Sequence, residues 1–176
     1  MAGQIERLQQ FIRDIPDWPK KGILFRDITP LLADHRAFGA AVNLIIQPFV
    51  DRRIDFVAAV EARGFIFGVA AAQRLGAGII PIRKAGKLPH QTHTETYALE
   101  YGTDSLQVHR DAASSGANVL LVDDLLATGG TMAAAARLIE KIPAQVVGIS
   151  FLIELEALGG RQKLEGYEVH SVIHYR

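Results

Sequence analysis

Residues 118–132, Asn-Val-Leu-Leu-Val-Asp-Asp-Leu-Leu-Ala-Thr-Gly-Gly-Thr-Met, constrain the fold more than any other stretch of the chain. Residues 119–122 are apolar without polar alternation and β-branched at both ends, which suits a strand covered on both faces of a parallel sheet. Asp123 and Asp124 follow directly, Thr128-Gly129-Gly130-Thr131 comes five residues after the first acid, and an Ala-rich helical pattern begins at once. The order is strand, acidic pair, glycine loop, helix.

Carboxylates just past the end of such a strand sit where open α/β sheets bind their ligands. Gly129 and Gly130 can adopt positive φ and let backbone approach an anion, Thr128 and Thr131 add hydroxyl donors, and the following helix presents unpaired N–H groups. No Lys stands where a nucleoside-triphosphate loop requires one, so a single terminal phosphate is the better ligand. A ribose diol donates hydrogen bonds to carboxylates, so the acids and the loop together read as a site for a 5-phosphoribosyl group. An acidic turn capping an ordinary helix explains Asp123-Asp124 alone, but not their attachment to residues 127–131.

At 176 residues and 49% hydrophobic content the chain can bury the core of a single domain. With 19 Lys+Arg against 19 Asp+Glu the formal net charge is zero, so no global field recruits nucleic acid or a membrane surface, and anion binding must be local. The absence of cysteine, of a signal-peptide pattern and of any long apolar run leads to the expectation of a cytoplasmic protein without disulfides or cysteine-bound metal.

In chain order, Ile5, Leu8, Phe11, Ile12 and Ile15 predict a helix over 4–15 stopped by Pro16. Residues 23–28 read as extended, with Thr29 as N-cap of a helix carrying Pro30 at its first position. Asp34 caps a predicted helix over 35–50, with Pro48 ending or kinking it. Residues 54–60 read as a buried strand, 66–75 as a helix, and 77–82 as a strand running into Arg83-Lys84-Ala85-Gly86-Lys87-Leu88-Pro89, whose three cations suit a mobile anion-binding loop extending to about residue 96. His90 and His93 lack a third ligand nearby and read as solvated. Two alternating runs, 96–101 and 105–109, predict a hairpin around Gly102-Thr103-Asp104. A helix over 131–141 and strands over 145–155 and 167–174 complete the pattern; Gly159-Gly160-Arg161-Gln162-Lys163 between those strands suggests a break near a helix start, and the C-terminal third receives no chemistry. Alternation of strands and helices predicts an α/β fold with a mostly parallel central sheet flanked by helices, and the charged loops 61–64, 83–87 and 123–131 converging on one edge.

Val122-Asp123-Asp124-Leu125-Leu126-Ala127-Thr128-Gly129-Gly130-Thr131 resembles the phosphoribosyl-pyrophosphate signature of the type I phosphoribosyltransferases, in the form carried by members that act on adenine. The resemblance extends to Glu61-Ala62-Arg63-Gly64-Phe65, similar to the family's pyrophosphate loop, to Tyr97-Ala98-Leu99-Glu100-Tyr101, similar to its acid-bearing flap, and to Leu24-Phe25-Arg26, similar to its base-binding segment. It implies a single domain over 1–176, with an N-terminal hood over about 1–33 and a flexible catalytic loop and flap over about 83–109. It implies Arg63, Arg83, Lys84 and Lys87 on the pyrophosphate, with Arg63 and Lys84 joining Glu100 in catalysis. Asp123, Asp124, Ala127, Thr128, Gly129, Gly130 and Thr131 would hold the phosphoribosyl half. Phe25 would stack on the purine while backbone near Leu24 and Arg26 meets its edge, and Glu100 would work near the purine nitrogen. Some members carry Asp-Ser where this chain has Glu61-Ala62, so the resemblance gives those two side chains no role.

The reaction implied is a pentosyl transfer of purine salvage: adenine and phosphoribosyl pyrophosphate give AMP and pyrophosphate, with Mg²⁺ held by substrate oxygens and water rather than by protein ligands, in a homodimer that binds neither nucleic acid nor membrane. Two alternatives stay open on sequence. One is transfer to another base. The other is a regulator that binds phosphoribosyl pyrophosphate without catalysis; against it stand the lack of a helix-turn-helix module or basic surplus, and the presence of Glu100 and the cationic loop.

Overall fold

A computed structural model of the chain describes residues 2–98 and 102–176. It divides into two compact units, residues 1–44 and 45–176.

The first unit contains helix α1 (Ala2–Gln9), a ribbon of strands β1 (Arg13–Pro16) and β2 (Leu24–Asp27), helix α2 (Thr29–Ala33) and most of helix α3 (His35–Ile46). The predicted helix over 4–15 is corrected here: the chain leaves the helix after Gln9, and Ile15 lies in β1, paired with Phe25 of β2. The apolar spacing continued past Gln9, but strand pairing with a segment ten residues away supplies the backbone partners that a further helical turn would have given. The cap of α2 also differs. Asp27, not Thr29, receives the helix start, its carboxylate accepting the Thr29 N–H at 2.9 Å and the Thr29 hydroxyl at 2.8 Å. Asp34 caps α3 as expected, its Oδ1 accepting the N–H groups of Arg36 and Ala37 at 2.9 and 2.8 Å. The helix passes into a 3₁₀ turn, Gln47–Phe49, at Pro48.

The second unit is built on a seven-stranded sheet. Its strands are β3 (Phe56–Val60), β4 (Gly78–Lys84), β5 (Thr92–Ala98), β6 (Thr103–His109), β7 (Ala117–Leu126), β8 (Ala144–Leu155) and β9 (Val169–Tyr175), with helices α4 (Arg63–Leu75) after β3 and α5 (Gly130–Lys141) after β7. The order across the sheet is β5-β6-β4-β3-β7-β8-β9. The five strands from β4 to β9 in that order run parallel, whereas β6 is antiparallel to both β4 and β5. The core beneath α5 is formed by Val119, Leu121, Leu138, Ile139, Phe151 and neighbours, all with almost no exposure. None of the helices among the described residues is long and apolar enough to cross a membrane.

Several boundaries differ from the sequence reading, each because pairing carries a strand beyond its apolar run. β7 continues through Asp123 and Asp124 to Leu126, pairing with β8 as far as Glu154, so the acids lie within the strand rather than past it. Arg83 and Lys84 end β4 and pair with Gln107 and Leu106, so the strand runs two residues beyond the predicted 77–82. β5 starts at Thr92, and Thr103 and Asp104 lie in β6. Leu99, Glu100 and Tyr101 fall outside the described residues.

Candidate active site

β3 passes through α4 to β4 on one side of the sheet order, while β7 passes through α5 to β8 on the other. Since β3 and β7 are parallel neighbours, these connections diverge at their C-terminal ends and open a crevice at the point where the order reverses. Arg63 at the start of α4 and the Thr-Gly-Gly-Thr loop before α5 flank that crevice. A pocket of about 220 Å³ lies there, lined by Arg63, both acids and most of residues 125–132.

Within it, Arg63 Nε stands 2.9 Å from Asp124 Oδ2. Asp123 Oδ1 accepts the N–H of Asp124 at 2.9 Å. A Cβ on Gly64 would lie 2.7 Å from that same Oδ1, so Asp123 rests against the glycine that follows Arg63. Burial pushes the Asp123 carboxyl well above the usual carboxylate range, with the adjacent Asp124 charge adding to the effect. Burial also raises Asp124, and the Arg63 guanidinium opposes that rise.

Gly129 precedes the first turn of α5 in the left-handed conformation, φ 76°. Its neighbour is Gly160, whose carbonyl oxygen would lie 2.2 Å from a Cβ on Gly129. Gly130 faces the end of β5, with a built Cβ 3.6 Å from both the Ala98 oxygen and the Tyr97 ring. Thr128 and Thr131 line the same pocket.

Arg83 and Lys84 are held by acids that sequence reading did not single out. Glu61, just past β3, accepts the Lys84 N–H at 2.7 Å on Oε1 and stands 3.4 Å from Arg83 Nε. Asp104 on β6 stands 3.1 Å from Lys84 Nζ and receives the Tyr97 hydroxyl at 3.4 Å. These contacts keep Asp104 below its usual range, through the Ser105 N–H first and Lys84 second. Lys87 takes no part in the pocket lining; its carbonyl accepts Arg83 Nη1 at 3.3 Å. The signal available in sequence was the charge balance: three cations in five residues of a neutral chain require acids nearby, though not which ones.

Arg137 on α5 is exposed and reaches across to the hairpin. It stands 3.2 Å from Glu95 of β5, and Lys141 stands 2.7 Å from the other oxygen of that carboxylate. Since Lys141 keeps the hairpin tied to α5, Arg137→Ala is expected to change steady-state kinetics by less than about threefold, in keeping with the worth of a single exposed ion pair. A loss comparable to that at Arg63 would show that the tether itself controls turnover.

In the other unit, Phe25 lies in β2 with its ring edge-on to Trp18, centroids 4.4 Å apart. Leu24 is exposed, and the Arg26 guanidinium pairs with Asp14 across the ribbon. Glu100 lies outside the described residues.

A strand-end crevice lined by a Thr-Gly-Gly-Thr loop, an acidic pair and Arg63 has the features of a phosphoribosyl-binding class of protein, and a family model described as the phosphoribosyl transferase domain matches residues 31–173. The chain belongs to the phosphoribosyltransferase family. It is similar to adenine phosphoribosyltransferases: 60% identical to that of Rhodopirellula baltica (96% of this chain, 82% of the relative) and 54% identical to that of Thermotoga neapolitana (96% and 99%). Among solved structures, the adenine phosphoribosyltransferase of Thermoanaerobacter pseudethanolicus superposes with a TM-score of 0.94 at 51% identity, covering 97% of this chain and 99% of that one. The Saccharomyces cerevisiae enzyme, complexed with adenine and an imino-altritol bisphosphate, gives 0.92 at 36% identity, covering 98% and 99%.

Proposed function

We infer that the protein transfers 5-phosphoribosyl from phosphoribosyl pyrophosphate to N9 of adenine, forming AMP and pyrophosphate. The observation that carries this reading is the single pocket in which Arg63, the Asp123–Asp124 pair and the loop before α5 meet, on a chain more than half identical along nearly its whole length to enzymes of that name.

In the transfer, the bond from C1′ to the pyrophosphate oxygen breaks with its electron pair leaving on pyrophosphate, N9 bonds to C1′, and the N9 proton departs. The 5′-phosphate rests on the N–H groups of the loop and first turn of α5, with Thr128 and Thr131 hydroxyls donating. Asp124 accepts from the ribose diol as Arg63 turns from it toward the leaving group. Arg83 and Lys84 exchange Glu61 and Asp104 for pyrophosphate oxygens, and Lys87 adds a further charge. Each exchange replaces one anionic partner by another, so the cations stay paired as negative charge develops on the leaving group. Glu100 is assigned to the purine nitrogen through the resemblance alone.

The donors at the pocket, two carboxylates and threonine hydroxyls, are the hard oxygens that suit magnesium. Asp123 and Asp124 would hold the ion through water, and when bound it would neutralise charge on the pyrophosphate. The homodimer and the cytoplasmic setting are part of the same proposal and rest on the resemblance and the cysteine-free composition.

Incubation of the pure protein with phosphoribosyl pyrophosphate, Mg²⁺ and adenine, guanine or hypoxanthine in turn should give nucleotide with adenine alone. A base carrying oxygen at C6 would set acceptor against acceptor at a site that accepts from the amino group. Efficient turnover of guanine would move the assignment to another base, and no turnover with any base would favour a non-catalytic binder. Phe25 should act on the base: stacking is worth about 1–3 kcal/mol per base, so Phe25→Ala should raise the adenine KM roughly ten- to a hundredfold and change that of phosphoribosyl pyrophosphate far less. Steady-state kinetics with each substrate varied checks this.

A further inference from the structure

The segment between β8 and β9 carries no group toward the pocket, yet it touches the phosphate loop backbone to backbone. After a 3₁₀ turn, Glu156–Leu158, the chain forms a second one, Gly160–Leu164. Gly160 is buried there, and a Cβ built on it would lie 2.1 Å from the Ala127 carbonyl oxygen and 2.9 Å from the Gly129 nitrogen. The contact is reciprocal, since a Cβ on Gly129 would lie 2.2 Å from the Gly160 oxygen. No atom larger than hydrogen fits between the two main chains.

Two anchors keep Gly160 from yielding. Leu164, 1% exposed, joins the core beneath α5 together with Met132 and Leu138. On the opposite side Arg161 grips the ends of β8 and β9: Nε and Nη2 donate to the two oxygens of the buried Glu154 at 3.0 and 2.5 Å, and Nη1 donates to the Val169 carbonyl at 2.9 Å. Such a bidentate pair fixes orientation as well as distance. The turn is held by the sheet on one side and by the core on the other, with its glycine pressed against Ala127 and Gly129.

We propose that Gly160 is a positioning residue for the phosphate loop, and that the Arg161–Glu154 pair holds it in place. The 3₁₀ turn Gly160–Leu164 is the floor on which the 127–129 main chain rests, so that the loop is shaped for phosphate before the ligand arrives. A methyl group at 160 displaces the Ala127 carbonyl by about 1 Å, and misplacements of that size cost about a hundredfold where geometry is tightly specified. The inference rests on the reading of residues 127–131 as the phosphate site.

Calorimetric titration of the full chain with two probes separates this role from a general loss of structure. Ribose 5-phosphate reports on the loop, and inorganic pyrophosphate with Mg²⁺ reports on the Arg63, Arg83 and Lys84 side. Gly160→Ala should weaken ribose 5-phosphate by at least tenfold and leave pyrophosphate within about twofold. Arg161→Ala, which keeps the glycine, should shift ribose 5-phosphate about three- to tenfold in the same direction, and Arg161→Lys should recover part of that loss. Should Gly160→Ala fail to fold, the two Arg161 variants decide alone. Unchanged ribose 5-phosphate affinity in the variants, or equal weakening of both probes, overturns the proposal. Wild-type protein that binds pyrophosphate but not ribose 5-phosphate would remove the phosphate-site reading itself, and this inference with it.

Discussion

Gly129→Val is expected to weaken phosphoribosyl pyrophosphate binding by at least about a hundredfold, a loss of roughly 2.8 kcal/mol of binding free energy. Two independent penalties meet at this position. The residue sits at φ 76°, a conformation that costs an L-residue about 1–2 kcal/mol, and more when the side chain is β-branched. Its Cβ would also stand 2.2 Å from the Gly160 oxygen, so the chain can accept valine only by moving the loop or its floor. Overpacking of this kind typically costs about 1–3 kcal/mol. The loop is where the phosphate is proposed to bind, so the movement falls on affinity. Titration with phosphoribosyl pyrophosphate at a temperature where the variant remains folded measures it directly; wild-type affinity would remove the loop from the binding site.

Arg63→Ala is expected to reduce kcat by about a hundred- to a thousandfold, the usual consequence of deleting one preorganised donor at developing negative charge. Lys84→Ala should act in the same direction, since Lys84 belongs to the same proposed charge cluster. Arg63 carries a second signature that Lys84 does not. It opposes the rise that burial imposes on both Asp123 and Asp124, so its removal lets both carboxyls climb further. A carboxyl raised in the folded state above its unfolded value of 3.8 binds more protons folded than unfolded. Stability then falls as pH rises through the window from that value to the raised one. The variant should therefore lie closer to wild type in melting temperature at pH 5 than at pH 8. Calorimetric scans of both proteins across that range test the linkage, and a stability gap independent of pH would show that Arg63 does not neutralise the acid pair.

Much of this site could be read from residues in one stretch. The acidic pair, the glycines and the threonines fall within nine residues of chain, residues 123–131, and local geometry obliges them to share a strand end and a helix start. Similarly, the capping carboxylate of Asp34 and the apolar runs of β8 and α5 announce their elements because caps and periodicity act over a few residues. The helix over 4–15 failed for the complementary reason. Its spacing was helical, but β1 is made by pairing with β2, and such pairing depends on what the chain does after Pro16 and Gly22.

The sequence by itself determined the α/β pattern, the phosphoribosyl signature and the residue types that any such site requires, since these rest on short-range conformational preference and on chemistry carried by neighbouring side chains. Only the tertiary structure decided that Arg63 meets Asp124, that Glu61 and Asp104 hold Arg83 and Lys84, and that Gly160 lies under the loop. Those contacts join residues between 20 and 61 positions apart, and they follow from the order β6-β4-β3-β7-β8, which places particular strand ends side by side. Charge and close approach act through space at a few ångströms, so their partners are set by which strands become neighbours, and no local pattern encodes that choice.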